Sequence, residues 1–164
     1  MKKPTSSLTI EFYKPETYRL QGSIVYSMVR NKLIYERLAD SKLVDLGITA
    51  SQMRVLMMIA HTERATVSSI SSCLANNAAA SVRTIDKLQR NGWIKRSQSE
   101  RDKRVTYLSL TVAGRKLSKA IPSRLCGLLN NSLEGFTHQE FELFKSFLMR
   151  IENNNLRQLE DTYA

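Results

Sequence analysis

Apolar residues recur along this chain at helical spacing in six stretches, and one short segment between the fourth and fifth stretches alternates instead. Leu20, Ile24 and Met28, with Val25, Val29, Leu33, Tyr35 and Leu38, predict a long first helix. It should open at Pro15 and Glu16, run to about Val44 and stop at Gly47. Thr49 followed by Gln52 is a capping-box spacing, and it starts a second helix through Met53, Leu56, Met57 and Ala60 that ends near His61. Thr66 caps a short third helix carrying Val67, Ile70 and Leu74. After a turn at 75–77, Asn77 caps a basic helix whose Val82, Ile85 and Leu88 face inward, while Ala80, Arg83, Thr84 and Lys87 face out. Asn91 and Gly92 end it. Residues 93–97 and 105–110 are rich in aromatic and β-branched side chains around a charged tip at 98–104, which predicts a β-hairpin. Thr111 caps the fifth helix, with Leu117, Ile121, Leu125, Leu128 and Leu129 on its face and Pro122 as the place for a kink. Thr137 and Glu140 form another capping-box spacing, opening a sixth helix to about Leu159.

These elements predict a mainly α fold with a small β-hairpin wing, that is, a winged helix-turn-helix flanked by N- and C-terminal dimerisation helices. The expected organisation is an N-terminal arm at 1–15, a helical dimerisation region at 16–46 and 112–164, and a winged helix-turn-helix at 48–111. In the last helix Phe141, Phe144, Phe147, Leu148 and Ile151 form an aromatic stripe that must be buried somewhere. Folding back on the chain's own core is one solution. A homodimer interface built with the first and fifth helices is the other, and it is preferred because the central module is already compact without them.

Charge sharpens this picture. The net charge is +10, and residues 76–120 hold eleven Lys and Arg against three acids, while 121–164 are net acidic. A basic cluster that coincides with a helix and hairpin favours phosphate binding over a merely solvated face. Ser81, Arg83, Thr84 and Lys87 are the expected base contacts, arginine being able to grip guanine O6 and N7 with two hydrogen bonds. Arg101, Lys103 and Arg104 suit a narrow minor groove, with Asp102 orienting Arg104 through a salt bridge. Ser68 and Ser69, beside Thr66 at the start of the third helix, are candidates for phosphate contact.

Enzyme chemistry finds no support. The two histidines, His61 and His138, stand far apart without a Cys or carboxylate at metal-ligand spacing, and the six glycines form neither a phosphate loop nor a nucleophile elbow. No metal or cofactor is expected. Cys73 and Cys126 lie in apolar helical contexts, and the chain lacks both a signal-peptide pattern and an apolar run of about 18 residues, so a reducing cytoplasm is the expected location.

The stretches SQMRVLMMIA, SVRTIDKLQRNGWIKR and ERDKRVTYLSLTVAGRKL resemble the MarR family of bacterial transcription regulators. Its wing pattern, D-x-R followed by L-x-L-T-x-x-G, is matched at Asp102, Arg104, Leu108, Leu110, Thr111 and Gly114. The resemblance extends from about Tyr18 to the C-terminus. It implies a homodimer, most often a repressor, that places two recognition helices in successive major grooves of a pseudo-palindromic operator on double-stranded DNA, about 34 Å apart. It also implies release by a small aromatic or anionic effector held between the dimerisation helices and the DNA-binding lobe. Tyr26, Arg30, Arg54 and Met58 are the candidate lining. The recognition helix departs from the pattern in opening with three alanines, Ala78, Ala79 and Ala80. That departure keeps open a protein that coats nucleic acid without sequence preference or holds a protein partner, and a redox sensor acting through Cys73 or Cys126 is a third reading.

Overall fold

The computed structural model describes residues 10–73 and 78–163. Six α-helices and one hairpin follow in order: α1 (Ile24–Leu43), α2 (Ala50–His61), α3 (Val67–Cys73), α4 (Ala78–Arg90), β1 (Ile94–Gln98), β2 (Thr106–Leu110), α5 (Val112–Asn131) and α6 (His138–Tyr163). The mainly helical class with a hairpin wing is therefore as expected. The Asn77 cap, the turn at 75–77 and the surroundings of Leu74 and Cys73 lie outside the described side chains.

Local chemistry sets the boundaries. Residues 14–17 form an isolated turn, and α1 begins only at Ile24, where the Ser23 hydroxyl accepts from the Tyr26 amide at 3.1 Å. The expected start at Pro15 is thus corrected: Ser23 is held extended as the cap, and Tyr13 reaches across to accept the Ile24 amide at 2.9 Å. The capping box at Thr49 and Gln52 is complete, and the Thr137–Glu140 pair repeats it before α6. Gly92, with φ 72°, ends α4 in a Schellman turn, its amide donating to Gln89 and the Trp93 amide to Leu88. Pro122 sits within α5 without ending it, and α6 runs past Leu159 to Tyr163.

The core is Leu43, Leu56, Ile70, Ile85, Leu88 and Ile121, all essentially buried, with Ile94, Leu108 and Leu110 of the hairpin closing it. β1 and β2 pair antiparallel, Ile94 against Leu110 and Arg96 against Leu108. The hairpin is also stitched to the start of α3: Thr66 bridges Tyr107, and the Leu108 amide donates to Ala65 at 2.7 Å. At its other end Thr111 donates to the Gly92 carbonyl at 2.6 Å and accepts from the Gly114 amide at 3.0 Å. That turn brings Gly114 so close to Trp93 that a Cβ would lie 1.9 Å from its carbonyl oxygen, so only glycine fits. The spacing of Thr111 and Gly114 has this steric cause.

Two helices are left largely uncovered. Of α1 only Ala39 and Leu43 are buried, while Val25, Val29, Leu33 and Leu38 are exposed. α6 stands almost clear of the rest, so the alternative in which it folds back on the core does not occur. Phe144 and Phe147 are 46% and 42% exposed, whereas Phe141, Leu148 and Ile151 are partly covered. Lys145 and Arg150 lay their cations over the Phe141 and Phe147 rings, at 5.0 and 5.2 Å from the centroids.

Candidate nucleic-acid interface

Helix α4 divides cleanly between core and solvent. Ile85 and Leu88 anchor one side, and Arg83, Lys87 and Arg90 are exposed on the other. Thr84 is half-buried, and its hydroxyl donates back to the Ala80 carbonyl at 3.0 Å, which leaves its oxygen free to accept. Ser81 corrects the expected set of base contacts. It lies four residues before Ile85 and seven before Leu88, on the same face, and at 1% exposure it cannot touch a groove. Val82, expected inside, is 38% exposed because Ser81 takes the inward position. Among the described residues the Ser81 hydroxyl has no hydrogen-bond partner.

The hairpin tip places Arg101, Lys103 and Arg104 in solvent. Asp102 does orient this turn, but not through the expected salt bridge: its carboxylate accepts from the Arg104 backbone amide at 2.9 Å. A two-residue reach favours the amide over the long guanidinium, in the manner of an Asx turn. The Ser99 hydroxyl accepts from the Arg101 and Asp102 amides, both at 3.3 Å, and fixes the other side. At the start of α3, Ser68 is exposed. Ser69 is occupied, trading hydrogen bonds with Thr66 at 2.9 and 3.0 Å as a reciprocal cap, so its hydroxyl is committed to the helix.

One pair escaped the sequence reading. Arg96 of β1 reaches Asp86 of α4 at 2.6 Å, tying recognition helix and wing together. Ten residues separate them, and only the Schellman turn folds the strand back along the helix to make them neighbours.

Among the described residues, no one groove gathers the four expected ligand-lining residues. Tyr26 and Arg30 border a shallow groove on the outer side of α1, with Leu33 and Arg37. Arg54 is hydrogen-bonded to Glu36, which Lys32 also meets at 3.2 Å, and Met58 packs against the core. Burial raises the Glu36 pKa, but the hydrogen bonds from Arg54 and Lys32 outweigh it and leave the group lowered. A different cavity, of ≈ 610 Å³, opens where the end of α2, β2 and the first half of α5 meet. Its apolar lining includes Met57, Leu108 and Leu110; His61, Arg115 and Lys119 supply cationic or imidazole groups, and Glu63 one carboxylate.

Residues 48–106 match the family model for the MarR family. Over that segment, a little over a third of the chain, this protein is similar to the MarR family. An HTH-type transcriptional regulator of Bacillus subtilis strain 168, YwoH, is 28% identical over 131 residues, covering 77% of this chain and 95% of that one. The multiple antibiotic resistance protein MarR of Salmonella typhimurium is 32% identical over 93 residues, 57% of this chain, and the chain spans 62% of that relative's length. A mutant MarR from E. coli, solved in complex with operator DNA, superposes with a TM-score of 0.67 at 26% identity, over 77% of this chain and 90% of that one. The fold is that of DNA-binding transcription regulators. Among the described residues no single helix is long and apolar enough to cross a membrane.

Proposed function

We propose that the protein is a homodimeric transcriptional regulator that binds a pseudo-palindromic operator, with α4 in the major groove and the tip at 99–104 in the flanking minor groove. The observation carrying this is the two-sided character of α4: Ile85 and Leu88 are locked in the core while Arg83 and Lys87 stand free beside a basic wing. Arg83 and Thr84 read bases, Lys87 reads a base or holds a phosphate, Arg101, Lys103 and Arg104 enter the minor groove, and Ser68 approaches a phosphate. The operator-bound relative of the same fold supports this placement.

The dimer forms through the uncovered faces of α1 and α6. An apolar groove of ≈ 520 Å³ between them, lined by Ile24, Met28, Phe144, Leu148 and Ile151, is the seat for the partner's helices. The protein acts as a repressor, released by a small anionic aromatic compound in the cavity between α2, β2 and α5. That cavity borders both the wing and α5, the helix that leads into α6, so an occupant favouring one spacing of the two DNA-reading lobes shifts the equilibrium between spacings.

Fluorescence anisotropy with DNA from upstream of the protein's own gene, against unrelated DNA at physiological salt, tests the reading. A preference of about 10³ or more is expected of a regulator. Arg83→Ala should relax preference at one base position per half-site at a cost of about 1–3 kcal/mol. A ratio near one for the unaltered protein refutes sequence-specific regulation and leaves a coating protein.

A further inference from the structure

Asp86 is the one acid on α4, whose sequence is otherwise AAASVRTI-KLQR, and it sits between Arg83, Lys87 and Arg90 on the flank of the surface assigned to DNA. An uncompensated carboxylate there would repel phosphate. It is compensated by Arg96, at 2.6 Å, and not by the neighbouring helix cations. Arg96 pairs across the hairpin with buried Leu108, two residues from buried Ile94, so it projects from the side of the strand that faces α4. The pair therefore spans the two elements that would enter adjacent grooves. Both side chains are partly exposed, at 32% for Arg96 and 45% for Asp86, where an ion pair adds little to folding stability. Its value lies in where it holds the wing.

Resting on the DNA-binding reading above, we infer that Asp86 and Arg96 are positioning residues that fix the wing against the recognition helix and withhold Arg96 from DNA phosphate, so that affinity is exchanged for sequence discrimination. With the pair intact, the wing cations meet the minor groove only at the offset from α4 that the operator presents. With it broken, the wing settles on any duplex, and the freed guanidinium adds one sequence-independent contact.

A charge-balanced double-mutant cycle tests this by anisotropy across a salt series, on the upstream fragment and on unrelated DNA. Asp86→Asn should tighten binding to unrelated DNA, steepen the salt slope by about one unit, and lower the operator preference by about tenfold. Arg96→Gln should weaken binding to both DNAs and make the slope shallower. The double variant D86N/R96Q restores the slope, since its net charge equals that of the parent, but the preference should stay low. A preference restored along with the slope would mean that charge alone mattered and would overturn the positioning role.

Amide hydrogen exchange of the DNA-free protein gives a readout independent of any operator. D86N should speed exchange in the hairpin by about fivefold while α2 stays unchanged, because partial openings report local tethering. Unchanged exchange refutes the coupling. If the unaltered protein shows no DNA preference while D86N still loosens the hairpin, the regulator reading fails and the mechanical link stands.

Discussion

Replacing Gly114 by alanine probes the tightest contact in the molecule. The added carbon would lie 1.9 Å from the Trp93 oxygen, and since such carbons essentially never come nearer than 3.0 Å, the first turn of α5 must retreat from β1 by more than an ångström. That movement breaks or stretches the Thr111 hydroxyl's bonds to the Gly92 carbonyl and the Gly114 amide. Overpacking costs about 1–3 kcal/mol, and two weakened hydrogen bonds add roughly 0.5–1.5 kcal/mol each. Alanine returns about 1 kcal/mol through its better helix propensity, which leaves a net loss of about 1–5 kcal/mol.

Gly127, in the same helix, is the internal control, because nothing lies within 4 Å of a Cβ placed there. Gly127→Ala should gain the propensity term alone, up to about 1 kcal/mol. Urea unfolding of both variants, followed by far-ultraviolet circular dichroism at one protein concentration, separates the two effects. If Gly114→Ala unfolds at or above the midpoint of Gly127→Ala, the argument that steric closure dictates glycine at this position is wrong.

Other consequences are open to equally direct measurement. Ser81→Ala should raise stability by about 1–2 kcal/mol, since it removes a buried hydroxyl without a partner among the described residues, and should leave operator affinity unchanged; a loss of affinity at full stability would return Ser81 to the groove. Glu36 has a lowered pKa, held down by Arg54 and Lys32 against the opposing effect of burial, so its contribution is fully present above the ordinary glutamate value of 4.5 and is lost as the pH falls through the lower folded value. Glu36→Gln should therefore flatten the decline in stability between neutral and acid pH, and an unaltered profile would show that the Glu36–Arg54 pair contributes nothing. Phe144→Asp should shift sedimentation toward the monomer, whereas a monomeric parent at tens of micromolar would remove the basis for the dimer.

What could be read from residues alone follows from the range of the forces involved. Capping boxes at Thr49 and Thr137, the glycine stop at Gly92 and the Thr111 cap are fixed by neighbours three or four positions away, and the structure has each of them. Ser81 was legible too, since its spacing to Ile85 and Leu88 marks the inward face, but a polar side chain on a basic helix drew attention outward. The start of α1 was not, because it depends on Tyr13 folding back eleven residues to the Ile24 amide. Nor was the cavity beside Arg115 and Lys119, whose walls come from α2, β2 and α5 and meet only in the folded chain. The Asp86–Arg96 contact lies between these cases: ten residues of separation is within local reach, but it requires the reversal at Gly92 to be drawn in three dimensions.

The seam between Thr66 and Tyr107, with the Leu108 amide held by Ala65, means that the hairpin is no free-swinging appendage. Its second strand is sewn at Tyr107 and Leu108 to the residues that lead into the first helix of the reading pair, just as its exit is nailed to the head of α5. While the Asp86–Arg96 tie also holds, a push delivered to α5 tilts the whole reading head instead of lifting the hairpin alone, and its contacts with the duplex would be gained or lost in one stroke.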